Sequence, residues 1–232
     1  MADTTRDFFG ERLRQGLTAL AIDIDMVGLD RLYRYFLELK KYSIKVNLIA
    51  KGSTDEQIIE NHFLDSLTLA PLLTGKSVHL LDVGTGGGFP GLVLKSAFPE
   101  MAITLVEPRL KRVSFLKHVA RTLQLPDVTV LACRVEDERA LPSDAPFTHI
   151  TSRAVTDIAG FLAMTARFSD PRLQVICMKG PKWAEELAAA KGVLTRLNYY
   201  LEKTLHQELP LSGAERSLLV FSRAGNPDGV AG

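Results

Sequence analysis

Hydrophobic positions in the first third of the chain recur at the spacing of an α-helix. One stripe consists of Leu29, Leu32, Phe36 and Leu39. A second helical run starts at Ser53-Thr54-Asp55, and its apolar stripe is formed by Ile58, Ile59, Phe63 and Leu67. Because Pro71 and Gly75 close this region, the pattern predicts a helical N-terminal extension over residues 1–75.

After this region the pattern changes to short apolar runs that alternate with helical segments. Strands are predicted over residues 78–83, 101–106, 128–132, 148–151 and 173–177, and helices over 91–98 and 109–123. This alternation predicts an α/β fold with a parallel sheet covered by helices on both faces. Two last runs, 199–205 and 217–221, favour a closing antiparallel pair. We expect one domain over residues 76–224 and a frayed tail over 225–232.

The composition is that of a globular protein and restricts the possible partners. The chain has 232 residues, 46% of them hydrophobic and 24% charged, which excludes a disordered or fibrous protein. The 28 basic and 27 acidic side chains leave a net charge of +1. A nucleic-acid partner must therefore meet a local basic patch, because the molecule as a whole has no strong field.

Several features indicate a cytoplasmic protein without membrane segment or metal. No apolar run approaches the roughly 18 residues of a membrane span, and the N-terminus lacks the pattern of a signal peptide. Cys133 and Cys177 lie far apart in apolar strands, which favours reduced thiols. The 5 histidines show no metal-ligand spacing. We expect a monomer, since no apolar surface stripe is left over.

A glycine-rich segment, Asp82-Val83-Gly84-Thr85-Gly86-Gly87-Gly88-Phe89-Pro90-Gly91, follows a predicted strand and opens a predicted helix. This is the place at which open α/β sheets bind nucleotide-like cofactors. Phe89 in the third glycine position argues against a dinucleotide, and no Gly-Lys-Ser/Thr follows for a Walker loop. The segment resembles motif I of S-adenosylmethionine methyltransferases. Glu107, at the end of the second strand, supports this because a carboxylate there can accept hydrogen bonds from ribose hydroxyls.

Further residues narrow the resemblance. Together with the glycine segment, Lys111-Arg112-Val113-Ser114-Phe115-Leu116 and Ser152-Arg153-Ala154 resemble the bacterial 16S ribosomal RNA guanine-N7 methyltransferase family, also called glucose-inhibited division protein B. Similar residues stand at Asn47-Leu48, His62 to Leu67, Arg134-Val135-Glu136, Lys179-Gly180 and Glu215-Arg216. The family's Asn-Leu-Thr segment usually ends in Arg. Here the segment reads Asn47-Leu48-Ile49-Ala50-Lys51, and Lys51 replaces that Arg only in part. The family's Asp-Ser after the second strand is Glu107-Pro108 here.

This resemblance implies a Rossmann-like class I S-adenosylmethionine-dependent methyltransferase fold with an N-terminal helical extension. It implies transfer of a methyl group from S-adenosyl-L-methionine to N7 of a specific guanine in the decoding-site region of 16S ribosomal RNA. The partner would be that RNA or the small ribosomal subunit. Guanine N7 carries no proton, so the reaction needs positioning and no general base.

The resemblance also implies roles for individual residues. The candidate cofactor contacts are Asp82, Gly84, Gly86, Gly88, Phe89, Glu107, Val135, Glu136 and Arg153. The candidates for catalysis are Arg153 and Lys179, and those for RNA binding are Asn47, Lys51, Lys179 and Arg216. Arg153 is expected at the cofactor's methionine carboxylate or at an RNA phosphate. The Val135 main chain is expected to meet the adenine amino group and ring nitrogen.

Alternatives remain at this point. The same fold could methylate another RNA, a protein or a small molecule. A nucleotide-binding oxidoreductase and an RNA-binding module without catalysis are further possibilities. His62 is interpreted as a structural histidine at the domain junction, and Asp82 as a brace of the glycine loop. For Phe89, packing in the core and lining the cofactor pocket stand equal.

Overall fold

The computed structural model describes residues 4–75, 77–170 and 172–224. The N-terminal extension consists of α1 (Thr4–Ala19), α2 (Met26–Ser43), α3 (Asp55–Ile58), a π-helix (Ile59–Leu64), α4 (Asp65–Leu67) and a short 3-10 helix (Ala70–Leu72). The predicted start at Ser53–Asp55 is confirmed. Thr54 and Gln57 form a reciprocal capping box, in which each side chain accepts the other residue's N–H, at 3.2 and 2.9 Å.

The sheet has seven strands in the order β3-β2-β1-β4-β5-β7-β6. Its parallel part is formed by β1 (His79–Val83), β2 (Ala102–Val106), β3 (Val128–Leu131), β4 (His149–Arg153) and β5 (Gln174–Lys179). The antiparallel strands β6 (Tyr199–Glu208) and β7 (Glu215–Arg223) close it, as predicted. The sequence ends β4 at residue 151, whereas the strand runs to Arg153 and so carries this side chain to the sheet edge.

Helices cover both faces of the sheet and position two separate cores. The helices are α5 (Gly91–Ala97), α6 (Leu110–Thr122), α7 (Ile158–Thr165) and α8 (Trp183–Arg196). On one face the extension packs with α5 and α6 in a single apolar cluster, which includes Phe36, Phe63 and Phe115. On the other face α7 and α8 pack over Ile150, Val175 and neighbouring residues. The extension is therefore continuous with one core of the sheet, and the predicted division at residue 75 stays a prediction.

Three further sequence expectations concern the tail, a membrane segment and the two cysteines. The tail predicted over 225–232 lies outside the described residues. Within the described residues, no helix combines the length and apolar character that crossing a membrane requires. Both cysteines are free and buried, and burial raises the pKa of the Cys177 thiol to about 12.

Candidate cofactor and target sites

The glycine segment forms a tight loop at the carboxyl end of β1. Gly84 N–H and Thr85 N–H donate to the Val106 carbonyl at 2.8 and 3.2 Å, which fixes the loop to the end of β2. Gly88 has a φ of +98°, and a Cβ there would lie 2.2 Å from the Tyr35 hydroxyl. Only glycine tolerates both this conformation and this close approach.

Asp82 lies buried beneath the loop and braces it. Its Oδ2 accepts hydrogen bonds from the Thr85 hydroxyl at 2.6 Å and from Gly91 N–H at 2.8 Å, so the predicted brace is confirmed. Its Oδ1 has no hydrogen-bond partner among the described residues. Burial raises the pKa of this carboxyl from 3.8 to about 6. An unsatisfied acceptor at this depth is a group that a ligand or water can satisfy.

Glu107 follows β2 and lies against the same loop. The residue is 98% buried; its Oε2 accepts from Gly86 N–H at 3.1 Å and its Oε1 from Arg109 N–H at 2.9 Å. Arg112 lies beside it, with Nη1 3.5 Å from Glu107 Oε2, and donates through Nη2 to the Asn47 carbonyl at 3.1 Å. Arg112 belongs to the segment Lys111-Arg112-Val113-Ser114-Phe115-Leu116 that carries the resemblance, but nothing in the sequence signals its position between Glu107 and the Asn47 segment.

Tyr35 is a contact of the loop that sequence analysis missed. Its buried hydroxyl donates to the Gly87 carbonyl, and its ring stacks on that of Phe89 with centroids 6.0 Å apart. Burial raises the pKa of this phenol well above its usual value. The only sequence signal is the position of Tyr35 beside Phe36 in the α2 stripe. The extension thus supports the glycine loop directly.

Phe89 packs between the extension and the loop. It is buried, and the His62 ring stacks on it with centroids 4.6 Å apart. His62 Nδ1 accepts from Arg153 Nη2 at 3.0 Å, which fixes the neutral tautomer with the proton on Nε2. Burial and the Arg153 charge lower the pKa of His62 to about 3. This supports the interpretation of His62 as a structural residue at the junction.

Arg153 connects β4 to the π-helix. Its Nη1 donates to the Asn61 carbonyl and, at 3.0 Å, to Asp65 Oδ2. The other Asp65 oxygen accepts from Arg216 Nε at 2.9 Å, and the Asp65 residue is 97% buried. The carboxylate therefore holds together side chains from α4, β4 and β7. The sequence did not single out Asp65, because nothing local marks it as the partner of two arginines.

Lys179, at the end of β5, also lies at this edge. Its Nζ donates to the Thr156 carbonyl at 2.8 Å and pairs with Glu186 Oε2 at 2.7 Å. Both side chains line a cleft of about 650 Å³ together with Asn61, Asp65, Arg153, residues 154–157, Met178, Gly180 and Arg216. The structure thus brings together three of the predicted residues, Arg153, Lys179 and Arg216.

The loop after β4 separates this cleft from the glycine loop. Ala154 has a φ of +56°, a conformation uncommon for a residue with a side chain, and it directs the chain so that Val155 covers Gly84. A Cβ at Gly84 would lie 2.6 Å from Val155 Cγ2. The cleft and the glycine loop therefore share the thin wall formed by residues 154–157.

The other predicted residues lie elsewhere on the edge. The Val135 carbonyl accepts from Arg167 Nε at 3.1 Å and from Arg167 Nη2 at 2.7 Å. Both lone pairs of this oxygen are therefore used, and none is left for the adenine amino group that was expected there. Glu136 is exposed. Asn47 and Lys51 line a cleft of about 550 Å³ with Lys45, and a neighbouring one of about 450 Å³ is lined by Lys45, Asn47 and residues 109–112. Lys45 and Lys51 therefore share one surface with Arg109, Lys111 and Arg112.

Comparisons with known proteins agree with this geometry. A family model described as rRNA small subunit methyltransferase G matches residues 29–213. The ribosomal RNA small subunit methyltransferase G of Desulfotalea psychrophila is 54% identical over 93% of this chain and 98% of its own length.

Solved structures resemble the chain at lower identity. A precorrin-6y C5,15-methyltransferase from Geobacter metallireducens has a TM-score of 0.51 at 13% identity, over 75% of this chain and 92% of that one. TYW2 of M. jannaschii, solved in complex with AdoMet, has a TM-score of 0.52 at 14% identity, over 66% and 72% of the two chains. This likeness concerns the fold alone, and it confirms the predicted Rossmann-like class I fold.

Proposed function

Because the chain belongs to the rRNA small subunit methyltransferase G family, a family of S-adenosylmethionine-dependent methyltransferases, we propose that it methylates N7 of a specific guanine in 16S ribosomal RNA. The methyl donor is S-adenosyl-L-methionine, and the partner is that RNA or the small ribosomal subunit. We place the reaction in the cytoplasm and assign it to a monomer.

The observation that carries the proposal is the meeting of a cofactor cradle and a second cleft at one sheet edge. The cradle combines the glycine loop, the buried Glu107 and Asp82 Oδ1, which no described residue pairs with, and these groups fit the donor. The second cleft lies directly behind residues 154–157. A base in that cleft would lie next to the cradle, and direct transfer requires residues 154–157 to move aside so that N7 reaches the methyl carbon.

Each group of the cradle has a task in this proposal. The Glu107 carboxylate accepts hydrogen bonds from ribose hydroxyls. Arg112 and Gly86 N–H, which now contact its Oε2, either move away or share that oxygen with the ribose. We assign to the donor Asp82, Gly84, Gly86, Gly88, Phe89, Glu107, Val135 and Glu136. When bound, S-adenosylmethionine supplies a methyl carbon that its sulfonium group makes electrophilic. For Val135, the free main-chain group would be the N–H, since Arg167 occupies the carbonyl.

The cations of the target side are paired in part, because Arg153 and Arg216 share the single carboxylate of Asp65. The guanidinium carbon of Arg153 lies 5.2 Å from the Phe89 centroid. We assign Arg153 to the methionine carboxylate or an RNA phosphate. An unbalanced cation would oppose the positive charge that develops on the purine as N7 is methylated, so pairing with Asp65 favours the reaction. The neutral His62 adds no charge either.

RNA contacts follow the basic surface. Asn47 and Lys51 lie beside Lys45 and Arg109, and together they offer donors and positive charge to phosphates. Arg216 and Lys179 line the target cleft itself. The molecule binds RNA through these patches because its net charge is only +1.

The test is transfer of tritiated methyl groups from S-adenosylmethionine to small ribosomal subunits from a strain that lacks this gene, followed by nucleoside analysis. Label in 7-methylguanosine is the expected result. Label in another nucleoside, in protein or in a small molecule would assign the enzyme to one of the alternative substrates. Protein-free 16S ribosomal RNA, assayed in parallel, distinguishes naked RNA from the assembled particle.

A further inference from the structure

The cleft behind residues 154–157 contains an ion pair that the proposed reaction has not yet used. Lys179 Nζ lies 2.7 Å from Glu186 Oε2, and the two side chains are 12% and 32% exposed. Lys179 comes from the end of β5 and Glu186 from the first turn of α8. Lys179 Nζ also donates to the Thr156 carbonyl, and this hydrogen bond ties the pair to the loop whose Val155 covers Gly84.

We infer that this pair recognises the target guanine, with Lys179 donating to O6 and Glu186 accepting from N1–H and the 2-amino group. The inference rests on the proposed function and deepens it. Along the edge of guanine that begins at N7, the next groups are an acceptor, O6, and two donors. A lysine offers only donors and a carboxylate only acceptors. The adjacent Lys179 and Glu186 present these groups in the complementary order.

The same order excludes adenine. Adenine carries an amino donor where guanine has O6, and an acceptor at N1. Lys179 would then face a donor and Glu186 an acceptor, and partly buried groups would lose their partners without replacement. The pair therefore distinguishes the two purines without contacting N7, which must stay free to react.

The other carboxylates that line this cleft are already engaged. Asp65 accepts from both Arg153 and Arg216. Asp157 caps α7 by accepting from Gly160 N–H at 2.7 Å. Among the residues that the structure describes, Glu186 is paired with Lys179 alone, and its carboxylate has acceptor capacity left for a base.

The pair also explains how a lysine can stand beside a base that becomes positive. The Glu186 carboxylate neutralises Lys179, so no net cation faces the purine. Methylation at N7 makes N1–H more acidic, and its hydrogen bond to a carboxylate becomes stronger as the charge develops. An interaction that strengthens in the transition state raises kcat rather than lowering KM alone.

The experiment compares wild type, Glu186→Ala and Glu185→Ala on small subunits reconstituted with guanosine or inosine at the target position. Inosine keeps N7, O6 and N1–H but lacks the 2-amino group. Glu185 is the matched control, an exposed acid next to Glu186 on the same helix turn. Thermal unfolding and cofactor affinity are measured for each variant to show that it is folded.

We expect inosine to lower kcat/KM of wild type and of Glu185→Ala by about 10-fold or more, the loss of one hydrogen bond to a charged group. For Glu186→Ala, kcat/KM on guanosine should fall by at least the same factor, mainly through kcat. Its kcat/KM values on guanosine and inosine should agree within about threefold. Equal rates of wild type on both bases, or a Glu186→Ala protein that still discriminates between them, would overturn the inference. Failure of wild type to methylate guanosine at all would instead refute the proposed function.

Discussion

Two halves of the same sheet edge are built in different ways. The cofactor half comprises Asp82, the glycine loop and Glu107, which lie close together in sequence and are joined mainly through backbone N–H groups. The target half comprises the π-helix, Asp65, Arg153, Lys179, Glu186 and Arg216. Its central carboxylate joins side chains that are up to 151 residues apart.

The difference shows which part of such a site tolerates change. A donor molecule of constant chemistry can be held by a local loop whose conformation follows from its glycines. A target half made of paired side chains from distant segments depends on packing of the whole chain. Substitutions in one half should therefore leave the binding function of the other nearly intact, and this can be tested.

The largest effect is expected for Gly86→Asp in the cofactor half. Gly86 has a φ of +60°, and its N–H donates to Glu107, so an added carboxylate would repel that acid. We expect the Kd for S-adenosylmethionine to rise by roughly 100-fold, or about 3 kcal/mol, in calorimetry. Gly213→Asp is the control, since Gly213 has a φ of +70° and open space around it. Unchanged affinity in Gly86→Asp would remove the loop from the cofactor site.

The second effect is expected for Asp65→Asn in the target half. The neutral amide leaves Arg153 and Arg216 without their shared charge, and these side chains are 19% and 23% exposed. We expect the free energy of unfolding in urea to fall by about 2 kcal/mol, less than for fully buried pairs. Methyl transfer should fall with it, whereas cofactor affinity should change by less than about threefold.

The control for Asp65→Asn is Asp30→Asn, which breaks the exposed pair with Arg6. Its free energy of unfolding should change by no more than about 0.5 kcal/mol. If Asp65→Asn weakened cofactor binding as strongly as Gly86→Asp does, the two halves would not be independent.

The smallest effect concerns His62, which lies between the halves. Its pKa is about 3 in the folded protein and near 6.5 in the unfolded chain, so the unfolded state binds the proton first as the pH falls. Between pH 7.5 and 5.5, the free energy of unfolding of wild type should therefore fall by roughly 1 kcal/mol more than that of His62→Gln. Asp82, whose raised pKa acts in the opposite direction below about pH 6, is common to both proteins and cancels. Parallel pH profiles of the two proteins would contradict this assignment.

The local structure of the cofactor half can be predicted from the sequence, whereas the contacts that join Arg153, Lys179 and Arg216 in the target half cannot, for a physical reason. Alternating apolar runs, the glycines and Glu107 carry their structural meaning within a few residues, and the strands and loop agree with them. The π-helix, by contrast, is continuous with helical periodicity and has no local signal. The partners of Asp65, and the approach of Tyr35 to Gly87, exist only once distant segments pack together.

The pairing of Asp65 with Arg216, and a similar contact of Glu60, make the target cleft depend on residues that are synthesised late. Glu60 is buried on the π-helix, and its Oε1 accepts from the N–H groups of Leu211 and Ser212, both at 2.7 Å. Until those residues leave the ribosome during translation, this buried charge lacks its donors, and Asp65 lacks Arg216. The segment that forms the cofactor loop is synthesised more than 100 residues earlier. The target cleft can therefore be completed only after residues 211–216 have been synthesised, well after the segment of the cofactor loop.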